Sequence, residues 1–272
     1  MSIIPYFSSF LSDQVSPSVL WCYTGGGHFF KEIFDQITKI NRESIPICFL
    51  FSNAGALVAN RYGFFWKIKQ SDFRKKFVHF IFEDVVAHYN IKDVLQEANF
   101  SYSILSKDPT YSAAMALANS ECGCIIASPL TANTASKLVL GIADSMISNL
   151  LASGLKSGKK IGILPTDATP KRIKTKLPIR QNCPASSDQV NIAVCKFNAL
   201  KETPTNTIQF LPQFCVGCQM CVERFPGVFS YGDEIEMKIR EVDSYNIKKL
   251  STELTVFRSP YEIFPFIKQK CK

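Results

Sequence analysis

The chain predicts an α/β fold, a parallel sheet flanked by helices, with a small cysteine-bearing insertion late in the sequence. Over the first 180 residues, short apolar runs alternate with amphipathic helical stretches, the pattern of βα units stacked on a parallel sheet. Several of these runs end in small or hydroxylated residues, as strands do at the ligand-binding edge of such a sheet. Near residue 181 the helical periodicity stops, and turn formers and cysteines replace it.

The elements follow in order. "SVLWCY" (18–23) is the first strand and runs into "TGGG". "HFFKEIFDQITKI" then places Phe29, Ile33, Ile37 and Ile40 on one helical face. "IPICFLF" (45–51) is a second buried strand, and "SNAG" opens another helix. Beyond a middle section of mixed pattern, "CGCIIAS" (122–128) reads as a strand, "TANTASKLVLGIADSMISNLLAS" as one long helix, and "KKIGILP" (159–165) as a further strand. The expected organisation is an α/β domain over 1–180, an insertion over 181–235, and a return to the α/β domain over 236–272.

A length of 272 residues accommodates one sizeable domain and an appendage. With 46% hydrophobic and 20% charged residues, the composition is that of an ordinary globular protein. The first residues lack a basic segment followed by an apolar one, so no signal peptide is expected. No uncharged apolar run reaches the about 18 residues that a membrane helix requires. A cytoplasmic location follows as an expectation, and there ten cysteines point to metal binding or burial rather than disulfides. The net charge of +8 is concentrated in "RYGFFWKIKQSDFRKK" and "TPKRIKTKLPIR". These are solvated basic stretches, or contacts for a nucleotide phosphate or a polyanionic substrate tail. Nucleic acid is not expected as a partner, because no nucleic-acid-binding motif accompanies the charge.

Three strand ends offer polar loops. Thr24, Gly25, Gly26 and Gly27 leave backbone amides bare for an anion. Ser52 and Asn53 stand at a helix start, where a serine also serves as a simple cap. Pro129 precedes Thr131, Ala132, Asn133 and Thr134, which supply two hydroxyls, an amide and a helix N-terminus. Together they form a plausible phosphate and ribityl site. Thr-Gly-Gly-Gly alone is neither a dinucleotide fingerprint nor a P-loop. His28, beside the first loop, is a candidate hydrogen-bond or proton donor near neutral pH, or a half-exposed helix-start residue. Asp167 in "PTD" is a candidate to face a ligand or substrate, or a loop cap.

"SPLTANTASKLVLGIADSMISN" closely resembles the Pro-x-Ser/Thr-Ala-Asn-Thr region of the homo-oligomeric flavin-containing cysteine decarboxylase superfamily. The matching positions here are Pro129, Thr131, Ala132, Asn133, Thr134, Lys137 and Gly141 to Asp144. "TGGGHFFKEIFDQI", "SNAGALVANRYG", "ILPTD" and "REVDSYNIKKLSTELTVFRSPYEI" are similar to the archaeoflavoprotein and dihydromethanopterin reductase branch. The resemblance implies a Rossmann-like, flavodoxin-like subunit that binds FMN through Thr24 to Gly27, Ser52, Asn53, Pro129 and Thr131 to Thr134. It also implies a homotrimer or an assembly of trimers. The decarboxylase members hold substrate with a Pro-x-Met-Asn segment, and the corresponding "LPTDATPKR" has no Met-Asn pair.

"FCVGCQMCVERFP" places Cys215, Cys218 and Cys221 at C-x2-C-x2-C spacing, the first three positions of a bacterial ferredoxin run. Pro226 is kept, but Phe225 stands where the fourth cysteine would be. In two-cluster ferredoxins that cysteine serves the other cluster, so a single 4Fe-4S cluster must draw its fourth ligand from elsewhere. Cys183, followed by Pro184, is the expected ligand, with Cys195 in reserve. Zinc is the rival, though its structural sites usually pair C-x2-C with a second such pair or with histidines. Cys22, Cys48, Cys122 and Cys124 read as buried core residues.

A flavin and a one-electron cluster in one subunit imply electron transfer to an organic acceptor. The expected function is an FMN-dependent oxidoreductase that reduces a pterin C=N bond, with a ferredoxin-like or NAD(P)H electron donor. Two alternatives stand beside it: a decarboxylase or flavin prenyltransferase of the same superfamily, and an electron carrier with no small-molecule substrate.

Overall fold

Val19–Tyr23 (β1), Ile47–Phe51 (β2) and Val78–Phe82 (β3) are apolar or nearly so and buried at every position. Runs of this kind suit strands covered on both faces, the usual condition of a parallel sheet. The computed structural model describes residues 17–83, 91–105, 110–166, 172–176, 179–215, 217–232 and 234–270. It adds Ser101–Ile104 (β4), Cys124–Leu130 (β5) and Ile161–Pro165 (β6) to the same sheet. The chain next forms the short strands Arg172–Lys176 (β7), Arg180–Gln181 (β8), Leu200–Glu202 (β9), Ile208–Phe210 (β10), Phe229–Ser230 (β11) and Glu234–Lys238 (β12). These pair antiparallel, β12 with β7, β11 with β8 and β10 with β9. Thr255–Val256 (β13) then returns to the edge of the large sheet, whose order is β13-β6-β5-β1-β2-β3-β4. All its pairings are parallel.

Helices link the strands: Phe30–Arg42 (α1), Asn53–Arg61 (α2), Phe64–Gln70 (α3), Ile91–Glu97 (α4), Thr110–Ala118 (α5), Ala132–Leu140 (α6) and Met146–Lys156 (α7). Met220–Arg224 (α8), Glu241–Leu250 (α9) and Ile263–Lys270 (α10) follow. The one long helix expected from Thr131 to Ser153 is two helices instead. Gly141 takes the left-handed conformation, with φ 72° and ψ 20°, and closes α6. Ser145 then restarts the chain as α7 with a reciprocal capping box to Ser148.

Because side chains alternate along a strand, the sheet sorts its residues onto two faces. Trp21, Phe49, Phe51, Phe80 and Phe82 share one face, where Phe49 stacks on Phe80 at 5.4 Å and Phe51 on Phe82 at 5.3 Å. Phe64 of α3 meets Phe49 edge-on at 5.7 Å, and Phe34 of α1 meets Phe64 at 5.9 Å. The other face carries Leu20, Cys22, Cys48, Leu50 and Ile81 against α5, α7 and α9. Small alanines at 113, 114, 117 and 118 let α5 lie close to that face.

The chain divides into two compact units. The first comprises residues 1–60, 64–168 and 240–272 and contains the large sheet; the second comprises 61–63 and 169–239. The second has its own small core around Val190, Leu200, Ile208, Val222 and Phe229.

Candidate functional site

Within the first unit, the ends of β1, β2, β5 and β6 bring three of the candidate loops together. Thr24, at the end of β1, is buried, and its hydroxyl donates to the Pro129 carbonyl at 2.7 Å. The same oxygen accepts from the Thr131 amide at 3.0 Å, and the Thr24 amide reaches Pro129 O at 3.3 Å. Thr24 therefore clamps the first loop to the third. Trp21 adds a buried bond from Nε1 to Ser128 O at 2.7 Å, which fixes the end of β5 against β1. Gly26 lies where a Cβ would come within 2.8 Å of Thr166 and 3.2 Å of Pro129, so this crossing has no room for a side chain. The Ser128–Pro129 peptide is cis.

The second loop joins through β1 as well. The Ser52 amide donates to Tyr23 O at 3.4 Å, and Ser52 Oγ accepts from the Gly55 amide at 3.0 Å, capping α2. Thr131 caps α6, accepting from the Thr134 amide at 3.4 Å, while its hydroxyl meets that of Thr134 at 3.1 Å. Asn53 and Asn133 are exposed, each in the first turn of its helix. Two helix starts, a glycine loop and a set of hydroxyls thus share one end of the sheet. Helix starts concentrate unpaired amides and positive potential, a donor set suited to a phosphate. The Lys137–Asp144 ion pair at 2.7 Å spans the turn after α6, and the hydrogen bond from Lys137 holds the Asp144 carboxyl below its ordinary range. Asn246 of α9 donates to Ser136 Oγ at 2.9 Å and ties the returning segment to α6. His28 is half-buried, with its ring against Phe29 at 4.0 Å. Asp167 lies outside the described residues.

The second unit gathers thiols. Cys195, Cys215, Cys218 and Cys221 line one small cavity with Phe197, Leu200 and Phe210. Burial, and then the charges of Cys218, Cys215 and Cys195, push the Cys221 thiol up to about 12. Burial likewise raises Cys218 to about 11. Two sulfurs accept backbone amides, Cys215 from Gly217 at 3.4 Å and Cys195 from Ala199 at 3.3 Å. Cys183 sits elsewhere: it is exposed, and its thiol donates to Gly227 O at 3.6 Å. The Cys-Pro pair thus does not line the cavity, whereas Cys195 does. Its apolar neighbours suggest a strand interior, but Ile192–Val194 instead forms a short 3-10 turn that delivers Cys195 to the other three. No group of three or more His, Cys, Asp or Glu among the described residues is arranged to hold a metal ion.

Sequence reasoning missed the segment Arg61–Gly63, which belongs to the second unit although more than a hundred residues separate it from the rest. Tyr62 meets Phe197 edge-on at 5.8 Å, and the Arg61 guanidinium lies over the same ring at 5.5 Å. Burial, then Cys218 and Cys215, push the Tyr62 hydroxyl up to about 12. Gly63, at φ +76°, lies against the Met220 side chain. No local pattern in the sequence marks these contacts.

Elsewhere, burial holds His79 down to about 4, with its ring nitrogens at 2.8 Å from Ser101 Oγ and 3.1 Å from Ser103 Oγ. Cys22, Cys48, Cys122 and Cys124 are buried, as expected of core residues. No helix among the described residues is long and apolar enough to cross a membrane.

Residues 8–175 match the Flavoprotein family. A dihydromethanopterin reductase (acceptor) of Methanocaldococcus jannaschii is 29% identical over 261 residues, covering 93% of this chain and 96% of that protein. The enzyme of the same name from Methanosarcina mazei is 25% identical, covering 90% and 96%. Among solved structures, Burkholderia xenovorans DmrB in complex with FMN, described as a cubic protein cage for redox transfer, aligns with a TM-score of 0.51. It is 15% identical and covers 93% of this chain and 94% of that one, a likeness of fold, with the parallel sheet and flavodoxin-like layering seen here. With the family match spanning the glycine loop, both helix-capping loops and every strand of the large sheet but β13, the chain belongs to the Flavoprotein family.

Proposed function

We propose that this protein is an FMN-dependent oxidoreductase of the dihydromethanopterin reductase type, reducing a pterin C=N bond. The observation that carries the proposal is the alignment, over nearly the whole of both chains, with two relatives that bear that name. The donor set at the sheet end fits FMN: glycine amides, two helix starts and hydroxyls for a phosphate and a ribityl chain. When bound there, the flavin supplies hydride transfer to an organic acceptor and accepts electrons singly. The chain's own residues do the holding. Thr24 spends its hydroxyl on fixing the first loop to the third, so it positions the site, while Gly25, Gly27, Asn53, Asn133 and Thr134 remain to meet the ligand. Ser52 and Thr131 keep the two helix starts in place. Pro129, Gly26 and Ala132 shape the crossing. His28 is the candidate proton donor.

The second half of the proposal is one 4Fe-4S cluster held by Cys215, Cys218, Cys221 and Cys195. Cys195 is put forward in place of Cys183 as the fourth ligand because it lines the same cavity as the other three thiols; the four are not drawn together as a metal site as they stand, and a cubane would take one thiolate at each iron. A single zinc needs its ligands converged on a point. The raised thiol values belong to the metal-free chain, and iron takes the sulfurs as thiolates. A homotrimer or larger assembly of trimers is part of the same proposal, supported by the cage described for DmrB. So is a ferredoxin-like or NAD(P)H donor.

The test is anaerobic purification followed by cofactor analysis and turnover with a dihydropterin and a reduced donor. Expected are one FMN and four irons per chain, with reduction of the pterin. Cys195→Ser should lose iron and Cys183→Ser should keep it. Flavin and iron present without pterin turnover would favour the electron carrier; zinc in place of iron would remove the cluster.

A further inference from the structure

We propose that the outward face of α5 is a self-association surface, on which α5 of a second copy of this chain packs antiparallel across a two-fold axis. The inference deepens the assembly put forward above and rests on that part of the reading alone. Its starting point is composition. Among the described residues α5 is the one α-helix without a charged side chain, in a chain where 20% of residues are charged. Apart from Thr110 and Ser112 it holds only alanine, leucine, methionine and tyrosine. A helix that is apolar all round is normally covered on both sides. One side of α5 is covered: Ala113, Ala114, Leu117 and Ala118 are buried in the core against the sheet. The other is exposed, with Tyr111 at 58% and Met115 at 37%, and Ser112, Ala116 and Asn119 complete the stripe.

Spacing and size shape that stripe. Tyr111 and Met115 are four residues apart, as are Ser112 and Ala116, so a large row stands beside a small one. In an antiparallel pair Tyr111 meets the partner's Met115 and Met115 meets the partner's Tyr111, the reciprocity that a two-fold contact requires. A thioether against an aromatic ring is itself a favourable contact. The small row lets the two helices approach closely. Charge then selects the occupant. Interface cores are depleted in charged residues and enriched in tyrosine and methionine. The net charge of +8 sets two copies against each other, and they meet with least repulsion on a face that carries no charge. An acidic partner would be drawn to the basic stretches instead. The face is also held in place, because Ser157 at the end of α7 donates to Asn119 Oδ1 at 2.8 Å. A preformed face loses less freedom on association. Trimers joined into a larger assembly need a contact apart from the three-fold one, and this face supplies it.

The experiment is size-exclusion chromatography with light scattering on the full-length protein as purified, over a range of concentrations. It compares wild type with Met115→Glu and Ala116→Arg, two substitutions on the exposed side of α5. Expected is a smaller assembly for both, regaining the wild-type mass only at a concentration about a hundredfold higher or more. Flavin content and unfolding midpoint should be unchanged. Adding Tyr111→Lys to Met115→Glu sets opposite charges across the two-fold contact and should restore the mass, more fully at low salt. A plain wild-type trimer, or wild-type mass in both single variants, overturns the inference while the trimer reading stands. Dissociation without recovery in the double variant overturns the pairing of α5 with α5. Wild type that is monomeric at every concentration overturns the assembly reading itself, and the wild-type trace alone shows it.

Discussion

Single residues decide how the two sites are held. Thr24 is the clearest case, because one buried hydroxyl both donates to Pro129 O and accepts from the Thr131 amide. Thr24→Val preserves shape and removes both bonds, leaving a part-buried amide without that partner. Loss of about 1–3 kcal/mol is expected, with weaker FMN retention, measured by urea unfolding and flavin release on dilution. Thr24→Ser should restore most of both; a valine variant as stable and as yellow as wild type would refute the clamp. His79 gives a second prediction, in pH. Its folded value is about 4, below the ordinary histidine value of 6.5, because burial disfavours the imidazolium. Between those values the unfolded chain binds a proton that the folded chain does not, so stability falls as pH drops from 6.5 toward 4. Its contribution is complete above pH 6.5, and roughly 3 kcal/mol is lost over that window. Unfolding midpoints from pH 7 to 4.5 check this, with His79→Gln expected to flatten the dependence.

At the scale of elements, the sheet was legible because its strands are apolar and β-branched or aromatic at nearly every position, and their ends are marked by small polar residues. Strands β1, β2, β5 and β6 fall where those runs fall. The long helix after Thr131 was misread because hydrophobic periodicity runs through Gly141 unbroken in one dimension. Only the left-handed glycine and the Ser145 cap reveal two helices. Helix α2 shows how tightly an element is seated. A Cβ on Gly55 would lie 2.0 Å from Tyr23 O and 2.8 Å from Tyr23 C, both backbone atoms that cannot rotate away. Gly55→Ala must lift the start of α2 from β1, disturbing the Ser52 cap, at a cost of about 1–3 kcal/mol or more. Gly141→Ala meets nothing within 4 Å and is strained only by its φ of +72°, which costs about 1–2 kcal/mol. Flavin retention should therefore fall sharply in Gly55→Ala and little in Gly141→Ala. Equal retention in the two would show that the seating of α2 does not shape the site.

For the whole molecule, the distribution of the candidate residues over two units matters most. All the loops proposed for FMN lie in the first unit, and all four cavity thiols in the second. The sequence marks three of those thiols by spacing alone. For the fourth it offers Cys183 with Cys195 in reserve, and Cys195 lines the cavity; a Cys-Pro dipeptide is a local pattern, while the cavity is assembled by non-local folding around a 3-10 turn. The contribution of Arg61–Gly63 was illegible for the same reason. The second unit is small, roughly 70 residues with a modest apolar core, the size at which domains commonly need a metal or other staple to be stable. The first unit has the extensive core of the seven-stranded sheet and needs no such support. Cys218→Ser should therefore lose iron and let the second unit become protease-sensitive, while FMN stays bound at wild-type stoichiometry. On the proposed electron path, in which the cluster feeds the flavin, turnover from the physiological donor should vanish. Dithionite, which reduces flavin directly, should still support pterin reduction in the same variant. Flavin and iron assays, limited proteolysis and the two turnover experiments read these outcomes separately. Loss of FMN together with iron would show that the two units do not hold their cofactors independently.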